Sequence, residues 1–276
     1  MDKCVSTSPS STVADVMPHA DRLVSLAAGT MLDVGPADAV TVAHDAGWPA
    51  VGIWFDPATW TAATTAAVRS RLDDTGTIAL DIEPIIFGPD GDPGDALVDT
   101  AIAIGARYVL VTSRVPVEPR IVDRFGQLCD RAAAGGVTLA LEFLPIFPLS
   151  TLAAAIDVVH ASGRPNSGVL VDTLHLSRSG GSVAELAAVD AALLPYLQLA
   201  DAPAAPPDSS IATLVDEALH GRLLLGDGAL PISDVLDTVA DVPVSFELRS
   251  RTLMAAHPDP TARARAVLDN WRAFSR

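Results

Sequence analysis

Cysteine is nearly absent: Cys4 and Cys129 are the only two in 276 residues. One lies in a serine- and threonine-rich opening and the other in an expected helix. No disulfide framework is therefore expected, and a reducing cytoplasm is the natural setting. Basic residues are also scarce, 18 against 34 acidic ones, for a net charge of −16. That balance excludes a nucleic-acid backbone or an anionic membrane surface as the main partner, because either needs a basic face. A small-molecule substrate remains, including an anionic one that a single local arginine could hold. No apolar run approaches the roughly 18 residues of a membrane span. The opening MDKCVSTSPSSTVADVMPHADR has one lysine and lacks the apolar core of about 7–15 residues that a secretory signal carries. Residues 1–21 read as a flexible N-terminal arm ahead of one domain, 22–276. A glycine-rich phosphate loop is missing too: 27-AAGTMLDVGP-36 has neither GxGxxG nor P-loop spacing.

What the chain does have is hydrophobic residues (49%) arranged in short β-branched runs, each followed by an alanine-rich stretch. Strands are expected near 22–27, 50–55, 77–84, 107–113, 137–143, 167–173, 195–201 and 243–249. Helices are expected near 36–47, 57–74, 93–105, 117–135, 150–162, 182–192, 231–240 and 259–275, with Gly47, Gly105, Gly135, Gly136 and Gly163 at helix ends. Strict alternation implies a parallel sheet with helices outside it. Eight such units without a phosphate loop predict an α/β single-domain (β/α)8 TIM barrel rather than an open doubly wound sheet. The 202-APAAPPDSS-210 stretch reads as a long loop after strand seven.

Catalytic groups of such barrels sit at the C-terminal ends of the strands. Those ends carry Glu83, Glu142, Asp172, His175, Gln198, Asp201, Glu247 and Arg249. Glu142, Asp172, Gln198 and Glu247 interrupt otherwise apolar strands five to eight, which are neighbours in a barrel. Three carboxylates brought together stay ionised only with positive charge between them. A divalent cation is the economical solution, with the Gln198 amide oxygen as a fourth ligand. An oxygen-rich set without thiolate favours Mn²⁺ or Mg²⁺, with Co²⁺ or Zn²⁺ as further occupants.

Ordinary explanations compete. Glu83 alone could be a solvated strand end, and the three acids could form an ion-pair network with Arg178 and Arg249. Asp201 could cap its loop or steady a ligand from behind, and His220 could simply face solvent. Trp54, Phe87, Phe143 and Phe147 could be core residues. Placed at the mouth instead, they would line a partly apolar pocket suited to a ring-bearing substrate.

At these residues the sequence resembles the xylose-isomerase-like TIM-barrel superfamily of sugar isomerases, epimerases and related lyases. The resemblance rests on 139-LALEFLP-145, 170-LVDTLHL-176, 197-LQLADAP-203, 222-RLLLGDGALPI-232 and 244-VSFELRS-250, with 29-GTMLDVGPADAVTVAHDAGWPAVGI-53 resembling the first βαβ unit. It implies one divalent metal on Glu142, Asp172, Gln198 and Glu247. The chain departs from the pattern at 198, where many members have histidine. The hydroxypyruvate-isomerase-like and dehydroshikimate-dehydratase-like branches use glutamine there. The resemblance further implies that Glu142 and Glu247 remove and return a proton, and that His175 and Arg222 contact the substrate; Trp54, Glu83 and Arg249 complete the expected substrate pocket.

The expected activity is that of a metal-dependent isomerase or epimerase of a hydroxy-ketone, working through a metal-stabilised enediolate. The alternative is a lyase that shares the first step and expels a β-hydroxyl, as dehydroshikimate or keto-inositol dehydratases do. An endonuclease IV type of enzyme would gather more histidines than the six scattered here, and a non-enzymatic binding protein would have lost one of the strand-end acids. A homodimer or homotetramer is compatible with the sequence.

Overall fold

The computed structural model describes residues 19–276 apart from Ala240. Residues 1–18, most of the expected N-terminal arm, lie outside the described residues. Eight parallel strands close into a barrel in sequence order, β1 Val24–Leu26, β2 Ala50–Trp54, β3 Ile78–Phe87, β4 Tyr108–Ser113, β5 Thr138–Glu142, β6 Ser167–Asp172, β7 Leu197–Leu199 and β8 Val244–Phe246. β1 pairs with β8 through Ser25 and Ser245, which closes the ring.

Outside it lie α1 Pro36–Ala46, α2 Ala62–Thr75, α3 Gly94–Ile104, α4 Pro119–Ala133, α5 Leu152–Ser162, α6 Thr173–Arg178, α7 Val183–Ala187, α8 Ile211–His220, α9 Ile232–Thr238, α10 Arg251–Ala256 and α11 Pro260–Phe274. The expected α/β barrel is therefore the observed one. Among the described residues no helix is long and apolar enough to cross a membrane.

Three helices, α6, α8 and α10, were not expected. α6 and α10 are six residues long, too short for an apolar period to show. Each of the three instead begins at a polar cap, Asp172, Ser210 or Ser250, whose side chain accepts a backbone N–H of the first turn. α2 begins later than expected because Asp56 first holds a turn through Ala58 N and Thr59 Oγ1, and Thr61 then makes a capping box with Thr64.

The strand alternation decides what the barrel encloses. Ala50, Leu80, Leu110, Ala140 and Leu170, one from each of β2 to β6, and Tyr196 just before β7 pack together in the interior. The other strand face joins the helices in the main apolar core. Two residues further along the same face come Thr112, Glu142, Asp172 and Gln198. The pleat that buries a small-and-large apolar layer thus raises a polar layer directly above it.

β3 adds a twist of its own. Val51 pairs with Ala79 but Gly52 pairs with Asp81, so one extra residue bulges and both Leu80 and Asp81 turn inward. A Cβ on Gly52 would lie 3.0 Å from Asp81 Oδ1.

Candidate active site

Four acids, one amide and one imidazole meet at the C-terminal end of the barrel. Trp54, Glu83, Glu142, His175, Arg222, Glu247 and Arg249 all line one cavity of about 280 Å³ there. Asp172 and Gln198, both fully buried, reach lining residues of this cavity, Arg222 and Glu83 respectively.

The DTLH segment shows how local structure aims a side chain. Asp172 ends β6 and caps α6, its Oδ1 accepting from His175 N at 2.9 Å. The first turn of α6 then carries His175 back over the barrel, with Nε2 3.9 Å from Glu142 Oε1. Glu142, Asp172 and His175 offer ligand atoms that all lie within 4.8 Å of one another.

Glu247 is placed by a close approach. A Cβ on Gly29 would fall 2.2 Å from Glu247 Oε1, so the turn after β1 accepts only glycine while Glu247 keeps this position. Gly29 N also donates to Glu83 Oε1 at 3.2 Å.

Arg222, expected from the sequence to contact the substrate, is also the ion-pair partner of two of the acids. It is buried, with Nη1 2.5 Å from Asp172 Oδ2 and Nη2 2.8 Å from Glu247 Oε2, while Nε donates to the carbonyl of Ala218. Burial acts to lower its pKa, but the Asp172 and Glu247 charges outweigh that and raise it. Burial likewise pushes Asp172 up, and the Arg222 charge, His175 and two hydrogen bonds reverse the effect to leave it below the usual carboxylate range. Arg178, an expected partner of these acids, instead pairs with Glu217 at 2.7 Å. Arg249 approaches Glu247 only to 3.7 Å.

The arginines that come near these acids are too few for them. Asp81, Glu83, Glu142, Asp172 and Glu247 are set against Arg222 and Arg249. Burial, then the charges of Glu247 and Asp172, hold the Glu142 carboxyl well above its ordinary value. Glu83 is raised in the same way by burial, Asp81 and Glu247. His175 is kept neutral chiefly by burial.

The donor set fits a divalent cation. Glu142 Oε1 and Gln198 Oε1 are buried with no hydrogen-bond donor, and each such oxygen costs about 1–3 kcal/mol if nothing serves it. The Gln198 amide nitrogen meanwhile faces Glu83 Oε2 at 3.5 Å. Two unserved oxygens amid surplus negative charge are what a hard cation would satisfy.

Asp201 has a different role. Its carboxylate accepts from the N–H groups of Ala202, Gly226, Gly228 and Leu230 at 2.8–3.1 Å. It therefore organises the GDG loop. Asp201→Ala would leave four buried or half-buried donors unpaired, at about 1–3 kcal/mol each before relaxation. We expect the variant to lose at least about 3 kcal/mol in urea denaturation; a loss under about 1 kcal/mol would show that the loop holds itself.

Of the four aromatics expected near the mouth, Trp54 and Phe147 line the cavity. Phe87 and Phe143 pack in the core between strands and helices instead, because their strand positions face outward. His220 is exposed at the end of α8.

Asp81 was missed, although the i, i+2 spacing of LDIEP placed it on the face of Glu83. It is fully buried and neither oxygen has a partner. Burial and then Glu247 push it up to about 7. Its unfolded value lies near 4, so between those limits the folded chain keeps a proton that the unfolded chain has lost. Stability then falls as pH rises from about 4 to about 7 and is level above. His175 acts in the opposite sense below about pH 6.5, so a variant must isolate the Asp81 share. Urea denaturation of metal-free protein should show Asp81→Asn losing less stability than wild type between pH 5 and pH 8. An equal loss in both would contradict the assignment.

The family model for the xylose isomerase-like TIM barrel matches residues 40–273. The chain belongs to the xylose isomerase-like TIM-barrel family. Within it, the chain is 30% identical over 227 residues to a Streptomyces coelicolor protein described as a hydroxypyruvate isomerase, covering 70% of this chain and 74% of that one. It is 28% identical over 157 residues to an inosose isomerase of Bacillus velezensis, covering 53% of this chain and 54% of that one. The chain thus spans about half the length of the inosose isomerases it matches. The IolI protein, solved with a bound zinc atom, superposes with a TM-score of 0.76 at 19% identity, covering 90% of this chain and 96% of that one. At that identity the likeness is one of fold.

Proposed function

We propose that this family member is a divalent-metal-dependent isomerase or epimerase of a hydroxy-ketone. The observation that carries it is the convergence of Glu142, Asp172 and His175 within 4.8 Å, beside the unserved oxygens of Glu142 and Gln198 at one cavity. Glu142, Asp172, Gln198 and Glu247 would hold the ion, Mn²⁺ by preference for oxygen donors, and His175 is close enough to replace one of them. Bound there, the ion would polarise the substrate carbonyl and a neighbouring hydroxyl and so acidify the carbon that bears the hydroxyl.

The chain's own residues do the rest. One of Glu142 and Glu247, on β5 and just past the end of β8, takes the proton as general base. The other returns a proton to the adjacent carbon, which moves the carbonyl, or to the opposite face, which inverts the centre. Neutral His175 is placed to donate to a substrate oxygen. Arg222 keeps Asp172 ionised and restrains the Glu247 carboxylate.

The apolar part of the cavity, with Ile86, Leu144, Ile146 and Leu219, supports a dehydratase as the second reading. There the same deprotonation is followed by loss of a β-hydroxyl, protonated by the acid not used as base. Mn²⁺-loaded protein incubated with keto-sugars, keto-inositol and 3-dehydroshikimate in D₂O distinguishes these outcomes by NMR. Deuterium at the carbon next to the carbonyl together with an isomeric product is expected. Loss of water would favour the lyase, and no exchange with any hydroxy-ketone would contradict both.

A further inference from the structure

We infer that the substrate carries a carboxylate and that Arg114 binds it; this rests on the hydroxy-ketone reading above. Arg114 follows β4 directly, its backbone N–H fixed to the carbonyl of Phe87 at 2.9 Å, and its side chain lines the catalytic cavity. The guanidinium lies over the Phe147 ring, 5.3 Å from the centroid. Stacking orients the planar group while leaving its edge free for a carboxylate.

Arg114 is exposed, and its charge is not taken up by an acid among the described residues. In a chain of net charge −16, the exposed Arg69, Arg120, Arg131, Arg164, Arg251 and Arg272 each pair with a carboxylate. Arg114 makes no such pair among the described residues. Of the other cations of the cavity, Arg222 is committed to Asp172 and Glu247, while Arg249 lies over the Trp54 ring with Glu247 3.7 Å away. An exposed cation stacked on Phe147 at the wall of the cavity is placed to receive an anion from outside.

The cavity is divided accordingly. Glu83, Glu142 and Glu247 line one part of it, where the hydroxy-ketone would react. Leu144, Ile146 and Phe147 from the loop after β5 line it together with Arg114 from the end of β4. A substrate matching this has a polar hydroxy-ketone end, a less polar ring or short chain, and one negative group. A single forked guanidinium suits a carboxylate, which it can bind through two parallel hydrogen bonds; a phosphate dianion ordinarily gathers more donors than this wall offers. Arg114 thereby sets specificity for keto acids over neutral keto-sugars.

The test compares 3-dehydroshikimate with its uncharged methyl ester by calorimetry on the full, Mn²⁺-loaded chain. Wild type should bind the acid at least tenfold more tightly than the ester. Arg114→Gln should bind both alike, at the wild-type ester affinity, and Arg114→Lys should restore part of the preference. Mn²⁺ affinity should be unchanged in both variants. Equal affinity of wild type for acid and ester, no binding of either, or a preference that survives Arg114→Gln would overturn the assignment. Deuterium exchange into a neutral keto-inositol, equal in wild type and Arg114→Gln, would meanwhile uphold the hydroxy-ketone chemistry on its own and so separate the two failures.

Discussion

Glu142→Gln and Glu247→Gln are each expected to abolish turnover, lowering kcat by at least the factor of about 10²–10⁴ associated with a positioned acid or base. Both changes are nearly isosteric. Neither should disturb the fold, since Glu142 is held by its place on β5 and Glu247 by the room that Gly29 leaves. Metal-free Glu142→Gln should even unfold later than wild type, because an amide avoids the burial and like-charge penalty that raises the Glu142 carboxyl. Glu247→Gln should gain less, because it deprives Arg222 of one of two carboxylate partners. Single-turnover rates and urea midpoints check both statements. A variant that keeps more than about a tenth of the wild-type rate has lost under about 1.4 kcal/mol of barrier stabilisation, and its residue would not be an essential acid or base.

Gln198 should decide metal affinity. It is fully buried on β7, its amide nitrogen faces Glu83, and its oxygen has no donor. Gln198→Leu preserves apolar packing but removes that oxygen, and Mn²⁺ affinity should fall by well over tenfold, the lower end of what even supporting residues of metal sites contribute (about 10–100-fold). Gln198→His should keep binding and shift preference towards Zn²⁺, which nitrogen donors suit better than they suit Mg²⁺ or Mn²⁺. Calorimetric titration of Mn²⁺ and Zn²⁺ into the three metal-free proteins gives the answer. Three indistinguishable affinities would mean that Gln198 only steadies Glu83 and that His175 is the fourth donor.

Much of this site is legible in the sequence because strand alternation is local information. Once Ala140, Leu170 and Tyr196 are known to face inward, Glu142, Asp172 and Gln198 must do so as well. DTLH also carries its own geometry, an acid that caps a helix and a histidine three residues on. Arg222 was read as a substrate contact, but its ion pairs with Asp172 and Glu247 span 50 and 25 positions of sequence and leave no local mark. The bulge in β3 is equally hidden, since the apolar spacing of TIALDIEP reads the same with or without an extra residue at Leu80. Arg114 was passed over for a different reason. It follows an unremarked strand end, and only the tertiary structure shows that Phe147 lies beneath it and that no acid among the described residues pairs with it. Asp201, with two readings open from sequence, is resolved by four backbone N–H groups that come from its own residue pair and from the GDG loop.

The central claim is a single divalent ion at the head of β5 to β8, and anomalous diffraction at the manganese edge from crystals grown with Mn²⁺ tests it most directly. The account predicts one strong peak per chain, with side-chain oxygens of Glu142, Asp172, Gln198 and Glu247 within about 2.0–2.6 Å. No peak at this site, or a peak whose distance to all four side chains exceeds about 3 Å, would contradict it.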